Sequence, residues 1–140
     1  LNSSPAQVST LVIRVYYEDT DAGGIVFYAN YLKFMERGRT EWLRTLGYHQ
    51  SSMAAETGRI FVVAGLDMSY RKPARLDDLL TVETRVTRLG RASIHFAQRV
   101  LREGELLAEG GIQVGCVDAT RLRPAELPKE LRATLESIQG

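Results

Sequence analysis

Three acids, Glu18, Asp19 and Asp21, stand just ahead of Gly23-Gly24, and a helix-forming pattern opens at Tyr31. The run from Glu18 to Tyr31 thus sets carboxylates at the end of one element and glycines before the start of another. A helix start exposes backbone N–H groups that lack a partner within the helix, together with a partial positive charge. Such groups stabilise an oxyanion, and a carboxylate a few residues upstream reaches the same small volume. A carboxylate beside an oxyanion donor is sufficient to hydrolyse an activated ester. The structural alternative is that these acids cap the helix or solvate a turn, their commoner use. Asp19 and Asp21 fall on the same side of an extended segment, so turn geometry decides which of them is presented.

The elements that must hold this segment are readable around it. Leu11, Ile13, Val15 and Tyr17 alternate as one strand face. Tyr31, Phe34, Met35, Gly38, Trp42 and Leu46 recur at spacings of three and four, which predicts an amphipathic helix with Asn30 as its N-cap and Gly47 as its stop. Gly38 lies on the buried side, where it costs roughly 1 kcal/mol against alanine in helix propensity. Close approach of the helix backbone to a sheet accounts for it. His49 to Thr57 is read as a short second helix. Four strand faces follow: Val62 to Tyr70, Leu80 to Val86, Ala92 to Val100, and Ala108 to Cys116. Leu127 to Ile138 closes the chain as a helix. Close strands with short connections imply antiparallel pairing, and such a sheet needs one face covered. The predicted fold class is therefore α+β, one antiparallel sheet wrapped around one long helix.

Composition narrows the function. The chain has 140 residues, 44% of them hydrophobic and 25% charged, with a net charge of +1. That length fits one domain, read as residues 11–140 behind a loose polar tail at 1–10. The near-neutral balance argues against a broad nucleic-acid surface. Cys116 is the only cysteine, so no internal disulfide forms and no zinc-ligand spacing exists; no metal site is expected. No apolar stretch spans a bilayer, and the first ten residues lack the pattern of a signal peptide, so a cytoplasmic location is expected.

The stretch from Val15 to Arg44, VYYEDTDAGGIVFYANYLKFMERGRTEWLR, resembles the YbgC-type acyl-CoA thioesterases and the related 4-hydroxybenzoyl-CoA thioesterases. The similarity continues through Tyr70 to Asp78, Cys116 to Asp118 and Pro124 to Pro128. The resemblance implies the hotdog fold, a five-stranded antiparallel sheet around a long helix. It implies hydrolysis of an acyl-CoA thioester, with coenzyme A as part of the substrate and no separate cofactor. Carried over by position, the catalytic aspartate falls on Asp21 and the backbone N–H that polarises the thioester carbonyl falls at Tyr28. Many YbgC-type members have histidine where this chain has Tyr28, which removes any imidazole-assisted step but leaves a backbone donor. Arg88 and Arg91, flanking Leu89-Gly90, are the first candidates for the phosphates of coenzyme A, with Arg71 and Lys72 as a second patch; solvated surface cations are the alternative. The resemblance also implies a homodimer or homotetramer with sites at the seam and, by analogy, an envelope-system protein partner of the Tol-Pal kind.

Other groups compete less well. Glu36 on the helix is a candidate secondary carboxylate, against the commoner solvated or ion-paired role. His49 and His95, the only histidines, lie outside the motif. The motif therefore lacks the acid–histidine pair that hydratase chemistry on this fold requires. A non-catalytic acyl-thioester binder is the remaining rival. Phe27, Tyr28, Phe61 and Met68 are read as the residues that shape an acyl pocket, for a short aliphatic or an aromatic acyl group.

Overall fold

The computed structural model describes residues 7–138. Alternation produces β1 (Ser9–Arg14), and the three-and-four spacing produces α1 (Asn30–Thr45). A short α2 (Gln50–Thr57) precedes β2 (Arg59–Tyr70), β3 (Leu79–Leu89), β4 (Ser93–Arg102) and β5 (Glu105–Asp118), and α3 (Lys129–Ile138) follows. The five strands form one antiparallel sheet in the order β1-β3-β4-β5-β2. β1 and β2 are consecutive strands but occupy opposite edges, because α1 lies between them in the chain and carries it across the sheet. This is the hotdog arrangement.

Three local readings change. β1 begins at Ser9, so Ser9 and Thr10, assigned to the tail, pair with Thr84 and Glu83; residues 1–6 of that tail lie outside the described residues. β1 also stops at Arg14, and Tyr17 to Asp19 turn as a single 3-10 coil, since Val15 donates its N–H to Asp78 O at 2.9 Å instead of continuing the ladder. Asn30 is not the N-cap. Ala29 takes that position, and the Asn30 side chain turns back to the preceding loop.

The core lies between α1 and the sheet. Phe34 and Met35 are fully buried there with Leu80, Ile94 and Leu107, each side chain contributing roughly 1.5–3 kcal/mol by burial. α1 packs on β1, β3 and β4, while β2 is met by α2. The contact with β3 and β4 is close at Gly38. A Cβ on Gly38 would stand 2.9 Å from Thr84 Oγ1 and 3.0 Å from Val82 Cγ1, which is the close approach expected from the sequence. A polar cluster occupies the same contact. Gln98 donates through Nε2 to Met35 O and to Thr84 Oγ1, both at 2.8 Å, and its Oε1 accepts from Arg39 Nη1 at 2.9 Å. Gln98 and Thr84 are thereby satisfied although almost wholly buried.

The connection from β2 to β3 is held by charge. Asp78 Oδ2 accepts from Arg75 N–H and from Arg102 Nη1, each at 2.8 Å, and Arg102 Nη2 reaches Glu105 at 2.8 Å. Burial pushes the Asp78 carboxyl up. The bonds from Arg102 and the Arg75 N–H, with both positive charges, outweigh that and hold it below its ordinary value. A group lowered in this way stabilises the fold above its unfolded value, and the contribution is lost as pH falls through the folded value. Asp78→Asn is therefore expected to lose about 1 kcal/mol at neutral pH, a small figure because the pair is partly solvated. The gap from wild type should begin to narrow at about pH 4, where the unfolded carboxyl gains its proton, and close as pH falls through the lower folded value. Thermal melts from pH 2 to 7 check this, and a gap that does not narrow as pH falls below 4 would contradict it.

Candidate active site

The loop between β1 and α1 is built by its own backbone. The Asp21 N–H donates to Ile25 O at 2.8 Å, and Gly24 N–H returns to Asp21 O at 3.0 Å. Gly24 closes this turn at φ 76°, a left-handed conformation that glycine adopts without steric cost. Isolated bridges join Thr20 to Val26 and Ile25 to Arg75, and Val26 N–H donates to Ala74 O at 2.8 Å. The loop is thus tied across to the β2–β3 connection. The Asp21 carboxylate is exposed, and its one protein partner among the described residues is the Gly23 N–H, at 2.8 Å to Oδ1. A Cβ at Gly23 would lie 3.2 Å from that oxygen, so glycine there keeps the carboxylate uncrowded.

Asp19 is turned the other way. It is buried, its Oδ2 accepts the Tyr16 N–H at 2.9 Å, and its carbonyl accepts both Phe27 N–H at 3.1 Å and Asn30 Nδ2 at 2.7 Å. Asp19 anchors the loop, whereas Asp21 is presented to solvent. The helix start faces outward as well. Among the described residues the N–H groups of Tyr28 and Ala29 meet no acceptor, while Asn30 N–H is taken by Phe27 O at 2.8 Å. One loop therefore carries an open carboxylate and an open pair of backbone donors, and the Asp19–Asn30 tie fixes one to the other.

Aromatic rings border the helix start. The Tyr28 ring lies 4.7 Å from Phe27 and 6.0 Å from Tyr70, centre to centre, and Tyr70 lies 5.5 Å from Tyr31. Tyr31 OH accepts the Ala74 N–H at 3.0 Å. Burial pushes the phenols of Tyr31 and Tyr70 up, so both stay neutral near pH 7. The aromatic pair expected of Phe27 and Tyr28 is present, but Phe61 and Met68 are not at this place. Phe61 lines a separate cavity beneath α1, and Met68 sits beside Gly110 on β5. Sequence reading missed Tyr70, Tyr31 and Asn30 as neighbours of the site. Tyr70 carries a usable signal as the last residue of an alternating strand directly before a loop. The Asn30 tie carries none, since an asparagine before a helix reads as a cap.

The remaining candidates are scattered. Arg71 pairs with Glu109 and Lys72 with Glu105. Arg91 pairs with Glu126 at 3.0 Å, while Arg88 is exposed and makes no ion pair among the described residues. Both lie at or beyond the far end of β3, whose near end meets the site loop's anchors. Ten residue steps along that strand cover roughly 30 Å, so one chain alone does not bring Arg88 and Arg91 to Asp21. Glu36 is exposed at the rim of the Phe61 cavity. His49 precedes α2, and His95 sits on β4 opposite Gln113, both away from the loop. Cys116 is buried, and burial pushes its thiol up, away from thiolate chemistry.

The tie makes a prediction. Asn30→Ala leaves Asp19 O with one donor and loosens Asp21 relative to the helix start. Turnover should fall about tenfold with little change in KM, because misplacement acts on the reacting geometry. Stability should fall by about 1 kcal/mol. Steady-state kinetics beside a thermal melt separate the two, and unchanged turnover would show that the tie does not position the loop.

Residues 23–109 match the family model described as the thioesterase superfamily. The chain is 46% identical over 127 residues to an acyl-CoA thioesterase YbgC of Haemophilus influenzae, covering 91% of this chain and 93% of that one. It is 45% identical over 122 residues to an acyl-CoA thioester hydrolase YbgC of Escherichia coli, covering 86% and 90%. Among solved structures, a probable thioesterase from Bartonella henselae superposes with a TM-score of 0.83 at 33% identity, over 87% of this chain and all of that one.

Proposed function

This chain belongs to the thioesterase superfamily, and from that premise we propose that it hydrolyses the thioester of a small acyl-CoA to free acid and CoA. Asp21 is the catalytic carboxylate and the Tyr28 N–H the oxyanion donor. The observation that carries this reading is the pairing, within one tied loop, of an exposed Asp21 with unpartnered N–H groups at the start of α1. Asp21 either attacks the carbonyl carbon, giving a mixed anhydride that water then cleaves, or takes a proton from attacking water. In both routes negative charge grows on the carbonyl oxygen, where the Tyr28 N–H meets it, and the thiolate of CoA departs. The side chain of Tyr28 offers no imidazole, so the carboxylate and the backbone carry the step. The test is thiol release from an acyl-CoA panel, short-chain to aromatic. No release from any member would bring an acyl-thioester-binding role forward.

A second copy completes the site in this reading. β2 is a sheet edge with Val62, Val63 and Leu66 exposed, and an open apolar edge favours pairing. Two β2 strands paired antiparallel about a two-fold axis set the Tyr70 end of one beside the Arg59 end of the other. The β3–β4 turn lies at the Arg59 end of the sheet, since Ser93 pairs with Gly115 and Gly115 with Val62. Arg88 and Arg91 of the second copy then come to the same end as Asp21, a placement suited to the phosphates of CoA. Sedimentation should give a multiple of the 15.6 kDa chain mass, two copies or a pair of dimers. Val63→Arg should yield monomer and cut turnover about tenfold or more, through the buried-charge penalty at the seam. A fully active monomer would remove the second copy from the site. Among the described residues no helix is long and apolar enough to cross a membrane, and a cytoplasmic setting fits a CoA-dependent reaction.

A further inference from the structure

α1 covers β1, β3 and β4, and between its second half and β2 a cavity of about 130 Å³ remains. Its walls combine apolar side chains, with Phe61 and Val63 from β2 and Phe96 from β4, and the polar Thr40 and Gln50. One charged side chain is built into them. Arg39 is only 8% exposed. Its Nη1 donates to Gln98 Oε1 at 2.9 Å, and its guanidinium carbon stands 6.0 Å from the Phe96 ring centre. The other guanidinium donors meet no protein acceptor among the described residues and open to solvent, since no buried side-chain nitrogen or oxygen there lacks a partner, and no carboxylate lies within ion-pair distance. Gln98 is held in place by Met35 O and Thr84, so its oxygen is fixed toward Arg39. Glu36, one turn earlier on α1, stands exposed at the cavity rim.

A guanidinium stays charged even when burial opposes it, and here only the Glu36 carboxylate one turn back, beyond ion-pair distance, offsets that cost. Its geometry favours a carboxylate, which the free donors of one planar fork can receive. We propose that Arg39 is a specificity-determining residue, and that the cavity takes the far end of a short acyl group that terminates in a carboxylate. This rests on the thioesterase reading with its second copy, whose Tyr70 end and active loop run beside Phe61 and Val63. The volume equals roughly four water-sized groups, enough for a carboxylate with one or two methylenes. Thioesters of four- and five-carbon dicarboxylic acids can set their terminal carboxylate there. Glu36 opposes an entering anion only from hydrated surface, where its field is screened.

Matched substrates test this. kcat/KM is measured for succinyl-CoA against butyryl-CoA, and for glutaryl-CoA against valeryl-CoA, with wild type, Arg39→Met and Arg39→Lys. Wild type should favour the carboxylate member of each pair by about 10- to 100-fold. Arg39→Met should bring the ratio to about one or below, and Arg39→Lys should keep part of it. Wild type that cleaves butyryl-CoA as fast as succinyl-CoA overturns the proposal by itself, whether or not a variant folds, and leaves the thioesterase reading standing. A ratio kept in a folded Arg39→Met also overturns it. If no member of either pair is cleaved while longer or aromatic acyl-CoA thioesters are, Arg39 is not a selector of small acids. If nothing at all is cleaved, both readings fall together.

Discussion

Asp21→Asn is expected to lower thiol release from every acyl-CoA that the wild type cleaves by about 10³-fold. The change is nearly isosteric, and its amide oxygen still accepts the Gly23 N–H that Asp21 Oδ1 accepts at 2.8 Å. The side chain is exposed and anchors nothing else among the described residues. Stability should therefore stay within about 0.5 kcal/mol. What disappears is the negative charge that, in the proposed mechanism, attacks the carbonyl or takes the proton of water. A thousandfold loss corresponds to about 4 kcal/mol of transition-state stabilisation. The loss should fall on kcat, because the Tyr28 N–H and the pocket that hold the ground state are untouched. Asp19→Ala makes the contrast. It strips the Tyr16 N–H of its acceptor and should unsettle the loop and the fold together. Thiol release and melting curves on the two variants side by side decide the assignment. An Asp21→Asn protein with wild-type turnover would take Asp21 out of the chemistry.

Gly38→Val is expected to cost about 3 kcal/mol of stability, at the upper end for overpacked core positions. The Cβ alone meets Thr84 Oγ1 at 2.9 Å, Val82 Cγ1 at 3.0 Å and Gln98 Nε2 at 3.3 Å. Two further methyl groups have no room. Thr84 and Val82 lie on the buried face of β3, and Gln98 cannot withdraw without surrendering Met35 O or Arg39. The helix would have to lift from the sheet and open the core around Phe34. Gly38→Ala is milder, because about 1 kcal/mol of gained helix propensity offsets part of the contact. Urea unfolding of the three proteins gives the order glycine, alanine, valine in falling midpoint. A valine variant as stable as wild type would mean that the helix and sheet do not meet as closely as the distances say.

The acid-glycine loop and the elements around it were legible because both are local. Strand alternation, helix spacing and the acid-glycine turn depend on residues within a few positions of one another, and each forms where its pattern predicts, shifted by up to three residues at the ends. Gly38 was legible for the same reason, as the one residue on a buried helix face whose absence of side chain needed a cause. Composition and periodicity alone left Asp19 and Asp21 equivalent, and only the resemblance favoured one of them.

The sequence by itself determined the class of fold, the helix that would be central and the one loop able to combine a carboxylate with helix-start donors. Tertiary structure decided which carboxylate is open, because the fate of Asp19 rests on Tyr16, Phe27 and Asn30 closing around it. It decided that Phe61 lines a different cavity from Tyr28, and that Arg88 and Arg91 stand at the other end of β3 from Asp21. It decided that Arg39 is buried against Gln98, fifty-nine positions away in the chain. Those facts follow from sheet order and strand direction, which set residues far apart in sequence side by side, and no local pattern encodes them.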